Sequence, residues 1–208
     1  MKNTKSAYLA IRYTTAGIFS RTVQTALAVL LASAVLMSPA SYGQGSDSFP
    51  PVTDAMLQDP APSDWLMWRR TLDSWGYSPL DEVNRDNVDQ LRMVWTHGLG
   101  TGTGEITPLA YNGMLYVPQH NDVIEAIDAR TGDQVWEYGR DHPEGLYDYV
   151  GVNARNNRNL AIFENLIINT SDDGFVFALD AQTGETVWET QVFDYKVNTG
   201  THSAGPII

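Results

Sequence analysis

The 208-residue chain contains no cysteine. That excludes disulfides, thiolate metal sites and haem attachment through a C-x-x-C-H pair within it. Positive charge is scarce too: 13 Lys and Arg stand against 25 Asp and Glu, a net charge of −12. The shortage is uneven. No acid precedes Asp47, whereas Lys2, Lys5, Arg12 and Arg21 all fall before it. Residues 44–208 therefore hold nine basic and 25 acidic residues, a charge of −16. A surface this acidic repels phosphate backbones and anionic bilayers, which argues against nucleic acid as a partner and suits a soluble exported protein or one steered toward a basic partner. Long hydrophobic runs are also missing. Ala26 to Met37 is apolar, and about 12 residues are too few to cross a bilayer comfortably. A basic start, a short apolar run, Pro39 and small residues at Ser38–Ala40 and Ser41–Gly43 predict a cleaved export signal over residues 1–43. No stable membrane span is expected after cleavage.

Two further absences narrow the chemistry. The loop Gly98-Leu99-Gly100-Thr101-Gly102-Thr103-Gly104 is glycine-rich but lacks the G-x-G-x-x-G spacing, and a strand-like stretch rather than a helix follows it. A phosphate cradle needs that helix N-terminus, so a nucleotide site is rejected. The four histidines, His97, His120, His142 and His202, show no metal-ligand spacing and are expected in loops or turns. The sequon Asn169-Thr170-Ser171 sits in a predicted strand and carries no glycosylation reading.

What the chain does have is a repeat. Ala126-Ile127-Asp128-Ala129-Arg130-Thr131-Gly132-Asp133-Gln134-Val135-Trp136 returns as Ala178-Leu179-Asp180-Ala181-Gln182-Thr183-Gly184-Glu185-Thr186-Val187-Trp188, 52 residues later. Alternating β-branched residues lead into each Asp, beginning at Asp122 and Phe175, and a short strand ending in Trp follows each Gly. An Asp side chain can accept backbone N–H groups two or three residues on, and Gly supplies positive φ, so the pattern is a hairpin turn. Its Trp suits a half-buried seam where the indole N–H meets a carbonyl. Trp95 is expected to play the same part.

Residues 44–63 are rich in Gly, Ser, Pro and Asp and are expected to form a linker or arm. Residues 64–104 hold the aromatic and basic cluster Asp64-Trp65-Leu66-Met67-Trp68-Arg69-Arg70, a predicted short helix over Asn84–Leu91 and a first Trp strand over 92–96. From Glu105 to Ile208 the pattern is β. An Asn112-Gly113 turn joins two strands, and the first motif copy completes four. A second set of four runs from Asn159 to Val192, and a third opens near Ala204-Gly205-Pro206. Between the first two sets lies a polar, aromatic insert, roughly 139–157, of the kind that carries function. Four short strands per unit, this period and a closing Trp predict an all-β fold: an incomplete β-propeller of about two four-stranded blades, with an N-terminal arm. A closed ring needs about four to eight blades, so a fragment or truncated product is expected.

The motif resembles the repeat of quinoprotein alcohol dehydrogenases, exported enzymes that use pyrroloquinoline quinone (PQQ) and a calcium or lanthanide ion on an eight-bladed propeller. The similarity covers about residues 64–208. Trp68 through Tyr77-Ser78-Pro79-Leu80 and Asn87 through Trp95 resemble the family's arm. Glu105-Ile106-Thr107-Pro108-Leu109, Asn157-Arg158-Asn159-Leu160-Ala161 and Ser203-Ala204-Gly205-Pro206 resemble segments that open its blades. The resemblance implies that Glu105 hydrogen-bonds the quinone, that Arg158 contacts its carbonyl region, and that Ser203, or else Thr201, binds a PQQ carboxylate. Three carboxylates and an ortho-quinone call for cations and hydroxyl donors. Two departures stand out. Val152 and Asn153 occupy the places where many members carry adjacent cysteines, and Asn159 replaces a usual Gly, leaving Arg155 as a rival for the cofactor contact. The resemblance further implies metal ligands and a catalytic aspartate beyond residue 208, so no metal ligand is assigned here. It implies an alcohol substrate, hydride transfer to the quinone, a periplasmic location and an electron acceptor such as a cytochrome c. The alternatives are a non-catalytic propeller scaffold in the cell envelope, or an inactive truncated product.

Overall fold

The computed structural model describes residues 49–102, 104–151, 155–197 and 205–208. Two four-stranded antiparallel sheets dominate it, ordered β1-β2-β3-β4 and β5-β6-β7-β8. The first comprises β1 (Leu109–Tyr111), β2 (Met114–Pro118), β3 (Ile124–Asp128) and β4 (Gln134–Tyr138). The second comprises β5 (Ala161–Phe163), β6 (Leu166–Thr170), β7 (Phe175–Asp180) and β8 (Thr186–Gln191). Two helices of one turn or so accompany them, α1 (Asp54–Gln58) and α2 (Leu146–Val150). This is the expected all-β arrangement of two consecutive blades, each strand paired with its sequence neighbour.

The repeated motif builds the same turn twice. Asp128 Oδ1 accepts from the backbone N–H of Arg130 at 2.8 Å and of Thr131 at 3.0 Å. Asp180 Oδ1 does the same for Gln182 at 2.9 Å and Thr183 at 3.0 Å. The threonine hydroxyls, Thr131 and Thr183, each accept from the N–H two residues on at 3.2 Å. A bulge after Ala126, and again after Ala178, lets the strand re-aim before the turn.

The tryptophans join one unit to the next. Trp95 Nε1 donates to Ala129 O and Trp136 Nε1 to Ala181 O, both at 3.1 Å. Each indole lies flat on the motif's glycine. A Cβ on Gly132 would come within 2.6 Å of Trp95, and one on Gly184 within 2.7 Å of Trp136. Both glycines also have positive φ, 78° and 74°, so no other residue fits the position twice over. Trp188, expected at a third such seam, stands 39 % exposed. Apolar side chains fill the space between the sheets. Tyr116, Ile124, Ile162, Ile167 and Phe177 are fully enclosed, and the Tyr138 and Phe177 rings meet at 5.2 Å between centroids.

Several expectations need correction. Residues 49–63 do not run as a loose linker. Val52 pairs with Glu164, Thr53 caps α1 by accepting from Met56 N at 3.4 Å, and Leu57 is buried. The helix expected over 84–91 is a single 3-10 turn at Val88–Gln90. The Asn87 side chain takes the N–H of Asn84 and donates to Glu82 O, satisfying a bent chain rather than a helix. Residues 92–96 form no strand and have no ladder partner among the described residues. The strand expected from Asp122 starts at Ile124, because Asn121 and Asp122 adopt φ of 62° and 56°, outside the β region. The insert contains the unforeseen α2, while Asn169, in the sequon, is wholly buried in β6. The export signal over 1–43 lies outside the described residues.

Candidate functional site

In an antiparallel blade the chain enters β1 at the end where β2 leaves, β3 enters and β4 leaves. The segments before β1 and β5, the β2–β3 and β6–β7 loops and the insert therefore share one end, and the Asp-Gly turns occupy the other. Glu105 precedes β1 and Arg158 precedes β5, so both come to the first end. A backbone bond from Thr107 N to Arg158 O, 2.7 Å, ties the two entering segments together. Across it, Arg158 Nε donates to Glu105 Oε2 at 2.7 Å, and Arg158 Nη2 reaches the same oxygen at 2.5 Å. Two residues 53 positions apart in sequence thus meet in one place. Their side chains are 59 % and 37 % exposed for Glu105 and Arg158 respectively, so the pair is open to a ligand. A pair this exposed is worth about 0–1 kcal/mol, which makes it easy to open.

Two hollows are lined in part by residues near Glu105 in sequence. Trp65, Trp68, Arg69, Trp75, Gly76 and Thr107 line an open aromatic recess of about 360 Å³. Its arm pairs with the free edge of β1 through Trp65 and Ala110, and the Arg69 guanidinium lies 5.1 Å from the Trp68 ring centroid. The glycine loop, Ile106, Gln119 and His120 line a second hollow of about 90 Å³. The loop is fixed by Gly100 N, which donates to Gln119 Oε1 at 2.6 Å. The loop's backbone comes close to His120: a Cβ on Gly102 would fall 2.5 Å from its ring.

Of the other expected site residues, Ser203 and its rival Thr201 lie outside the described residues, as do Val152 and Asn153. Arg155, the rival to Arg158, does not join the Glu105 pair among the described contacts. Its guanidinium carbon lies 3.9 Å from the Tyr147 ring centroid.

A buried polar cluster without a sequence signature lies at the same end, between the blades. Asp122, Asp172 and Asp173 are each under 5 % exposed. His142 Nε2 meets Asp122 Oδ2 at 3.0 Å, and Asp172 N donates to that oxygen at 3.1 Å. Tyr147 Oη lies 3.0 Å from His142 Nδ1. Arg140 grips Asp173 through Nε and Nη2 at 2.9–3.1 Å and reaches Glu189 at 2.9 Å. Burial and the neighbouring Asp122 charge push the Asp172 carboxyl up to about 7. Burial works against the charged form of His142, but the hydrogen bond and charge of Asp122 outweigh it and raise its pKa. Histidines expected in bland loop roles are thus bonded to acids, His97 included, with Nε2 2.9 Å from Glu125 Oε2.

Comparison with known proteins fits this geometry. The family model for the PQQ β-propeller domain of glucose, ethanol and alcohol dehydrogenases matches residues 65–189. The dehydrogenase subunit of the quinone-linked alcohol dehydrogenase of Gluconacetobacter polyoxogenes is 33 % identical over 181 residues, 86 % of this chain and 24 % of that protein. The 1-butanol dehydrogenase (cytochrome c) of Thauera butanivorans is 37 % identical over 117 residues, 54 % of this chain and 16 % of its own length. Among solved structures, the quinohemoprotein alcohol dehydrogenase ADHIIG of Pseudomonas putida HK5 superposes with a TM-score of 0.63 at 29 % identity, covering 70 % of this chain and 22 % of that one. A europium-containing methanol dehydrogenase gives 0.60 at 28 % identity, covering 67 % and 25 %. The chain spans about a quarter of the length of the relatives it matches. With its paired motifs, its two blades and a family match over more than half its residues, the chain belongs to the PQQ-dependent alcohol dehydrogenase family.

Proposed function

We propose that the chain forms the opening blades of an exported, periplasmic alcohol dehydrogenase in which Glu105 and Arg158, with Ser203, hold PQQ. The observation that carries this reading is the meeting of Glu105 and Arg158 at one end of two adjacent blades. The donor set suits the cofactor: a cation for its carboxylates and quinone oxygens, and a carboxylate to accept from its N–H. PQQ, when bound, would supply the two-electron acceptor for hydride removed from an alcohol carbon. The chain's own work is binding and orientation. Arg158, fixed at its carbonyl by Thr107, presents a permanent cation where negative charge builds up on reduction. Glu105 orients that guanidinium and turns to the ligand when the weak pair opens.

The metal ion, calcium or a lanthanide, and its ligands belong to the rest of the propeller in this reading. Electrons pass on to a periplasmic acceptor, a role for which a cytochrome c is chemically suited. The test is reconstitution of the complete apoprotein with PQQ and either ion, followed by dye-linked alcohol oxidation and cell fractionation. Alcohol-dependent dye reduction in a periplasmic protein is the expected result. Reconstituted protein that oxidises no alcohol would overturn the reading in favour of a scaffold.

A further inference from the structure

We infer that Asp122, His142 and Tyr147 are positioning residues, a fixed relay that holds the Tyr147 ring as the platform for Arg155 and thereby sets the segment carrying Arg158. The inference rests on the proposed cofactor role of Arg158.

The relay starts from the β2–β3 loop. Asn121 and Asp122 both sit in the left-handed region, which Asn and Asp adopt more readily than other non-glycine residues. That conformation turns Asp122 inward, 4 % exposed, where one carboxylate oxygen takes both His142 Nε2 and the Asp172 amide. A carboxylate on Nε2 fixes the proton there in the neutral ring. Nδ1 faces the Tyr147 hydroxyl at 3.0 Å, accepting from it in the neutral ring and donating to it in the imidazolium. The Tyr147 hydroxyl also lies 3.3 Å from Asn121 Oδ1, and its ring meets the His142 ring edge-on at 5.7 Å. The β2–β3 loop thus fixes the imidazole and the phenol of the insert at once.

What the phenol carries is a cation. The Arg155 guanidinium stacks over it at 3.9 Å, and the buried Arg155 Nε finds no hydrogen-bond partner among the described residues. Among the described residues, the ring is a contact that places this side chain. Three residues on, Arg158 is held by the backbone bond to Thr107 and by Glu105. Between them Asn157 is 5 % exposed. Segment 155–158 is accordingly fixed at one end by stacking on Tyr147 and at the other by β1's entering strand. The groups facing the relay are Asp172 and Asp173 from the β6–β7 loop and Arg140 and Arg155 from the insert. Glu189 of β8 faces Arg140.

The test uses the complete apoprotein. PQQ affinity is read by quenching of tryptophan fluorescence, and amide exchange over 155–158 is read without cofactor. Y147L removes the platform, and Y147F keeps it while removing the hydroxyl. Y147L is expected to weaken PQQ binding by about tenfold, the size of one partly desolvated cation–π contact, and to speed exchange at 155–158. Y147F keeps the aromatic face for Arg155 but loses the hydroxyl through which His142 holds the ring, so its affinity should fall between those of the parent and Y147L, about threefold below the parent; parent-like affinity in Y147F overturns the relay. R155M, which leaves the relay intact, covers the case in which Y147L does not fold; its affinity should fall by the same factor, and Y147L/R155M should be no weaker than R155M alone. Parent-like affinity in Y147L or R155M, alongside weak binding in R158A, overturns the relay and leaves the cofactor site standing. Parent-like affinity in R158A overturns the cofactor site and the relay with it.

Discussion

Replacing Gly184 with alanine separates the two demands that the repeated motif makes on its glycine. The first is conformational. At φ 74° an alanine pays the left-handed penalty, about 1–2 kcal/mol. The second is contact. The new Cβ falls 2.7 Å from the Trp136 indole, which cannot retreat without releasing its bond to Ala181 O. Overpacking of this kind costs about 1–3 kcal/mol. Gly113 supplies the control. Its φ of 77° is nearly the same, but no atom lies within 4 Å of the Cβ position. G113A should therefore lose about 1–2 kcal/mol and G184A about 2–5 kcal/mol. Urea denaturation of the complete protein, followed by tryptophan fluorescence, reads the difference as a shift in midpoint at unchanged slope. Equal losses would show that the glycine is kept for its φ alone and that the indole does not press on it. G132A, facing Trp95 at 2.6 Å, should repeat the result of G184A.

Three further outcomes follow from the same contacts. W136F keeps an aromatic ring but loses the buried donor to Ala181 O and the volume of the second ring, and should cost about 2–4 kcal/mol in the same denaturation assay. R140M strands the Asp173 carboxylate, 4 % exposed, and should cost about 3–5 kcal/mol; R140M/D173N should recover most of it. The acid cluster sets a pH dependence. The folded state raises both Asp172 and His142, so it binds more protons than the unfolded chain and stability falls as pH rises. The Asp172 contribution is complete below about pH 4, its unfolded value, and is lost as pH climbs through about 7; His142 is lost above its raised value. D172N should match the parent near pH 4 and be the more stable above pH 7, by up to about 4 kcal/mol in thermal melts. A D172N protein less stable than the parent at pH 8 would contradict the sign.

The parts of the fold that could be read from the residues are those whose chemistry is local. Asp128 and Asp180 cap N–H groups two and three positions on, so the turn is written in adjacent letters. The Trp seams were legible for a similar reason: a large apolar ring with one donor must find a carbonyl. The misreadings have a common cause. The alternation from Asp122 to Ile127 looks like one strand, but an inward carboxylate bound to His142, 20 positions away, bends its first residues out of the ladder. The short helix over 84–91 gave way to the local hydrogen bonding of Asn84 and Asn87. The buried His–Asp–Tyr network has no sequence signature, since its members belong to three segments. The Glu105–Arg158 pair lies between these cases: nothing in their spacing links residues 53 apart, and only the family pattern nominated both.

In the proposed reading these two blades bring Glu105 and Arg158 to one cleft that holds the quinone. A crystal structure of the complete protein with PQQ bound is the decisive measurement. Both side chains should lie within hydrogen-bonding distance of the cofactor, with their mutual bond at Oε2 opened or shared. A cofactor seated elsewhere, with the Glu105–Arg158 pair still closed on itself, would contradict it.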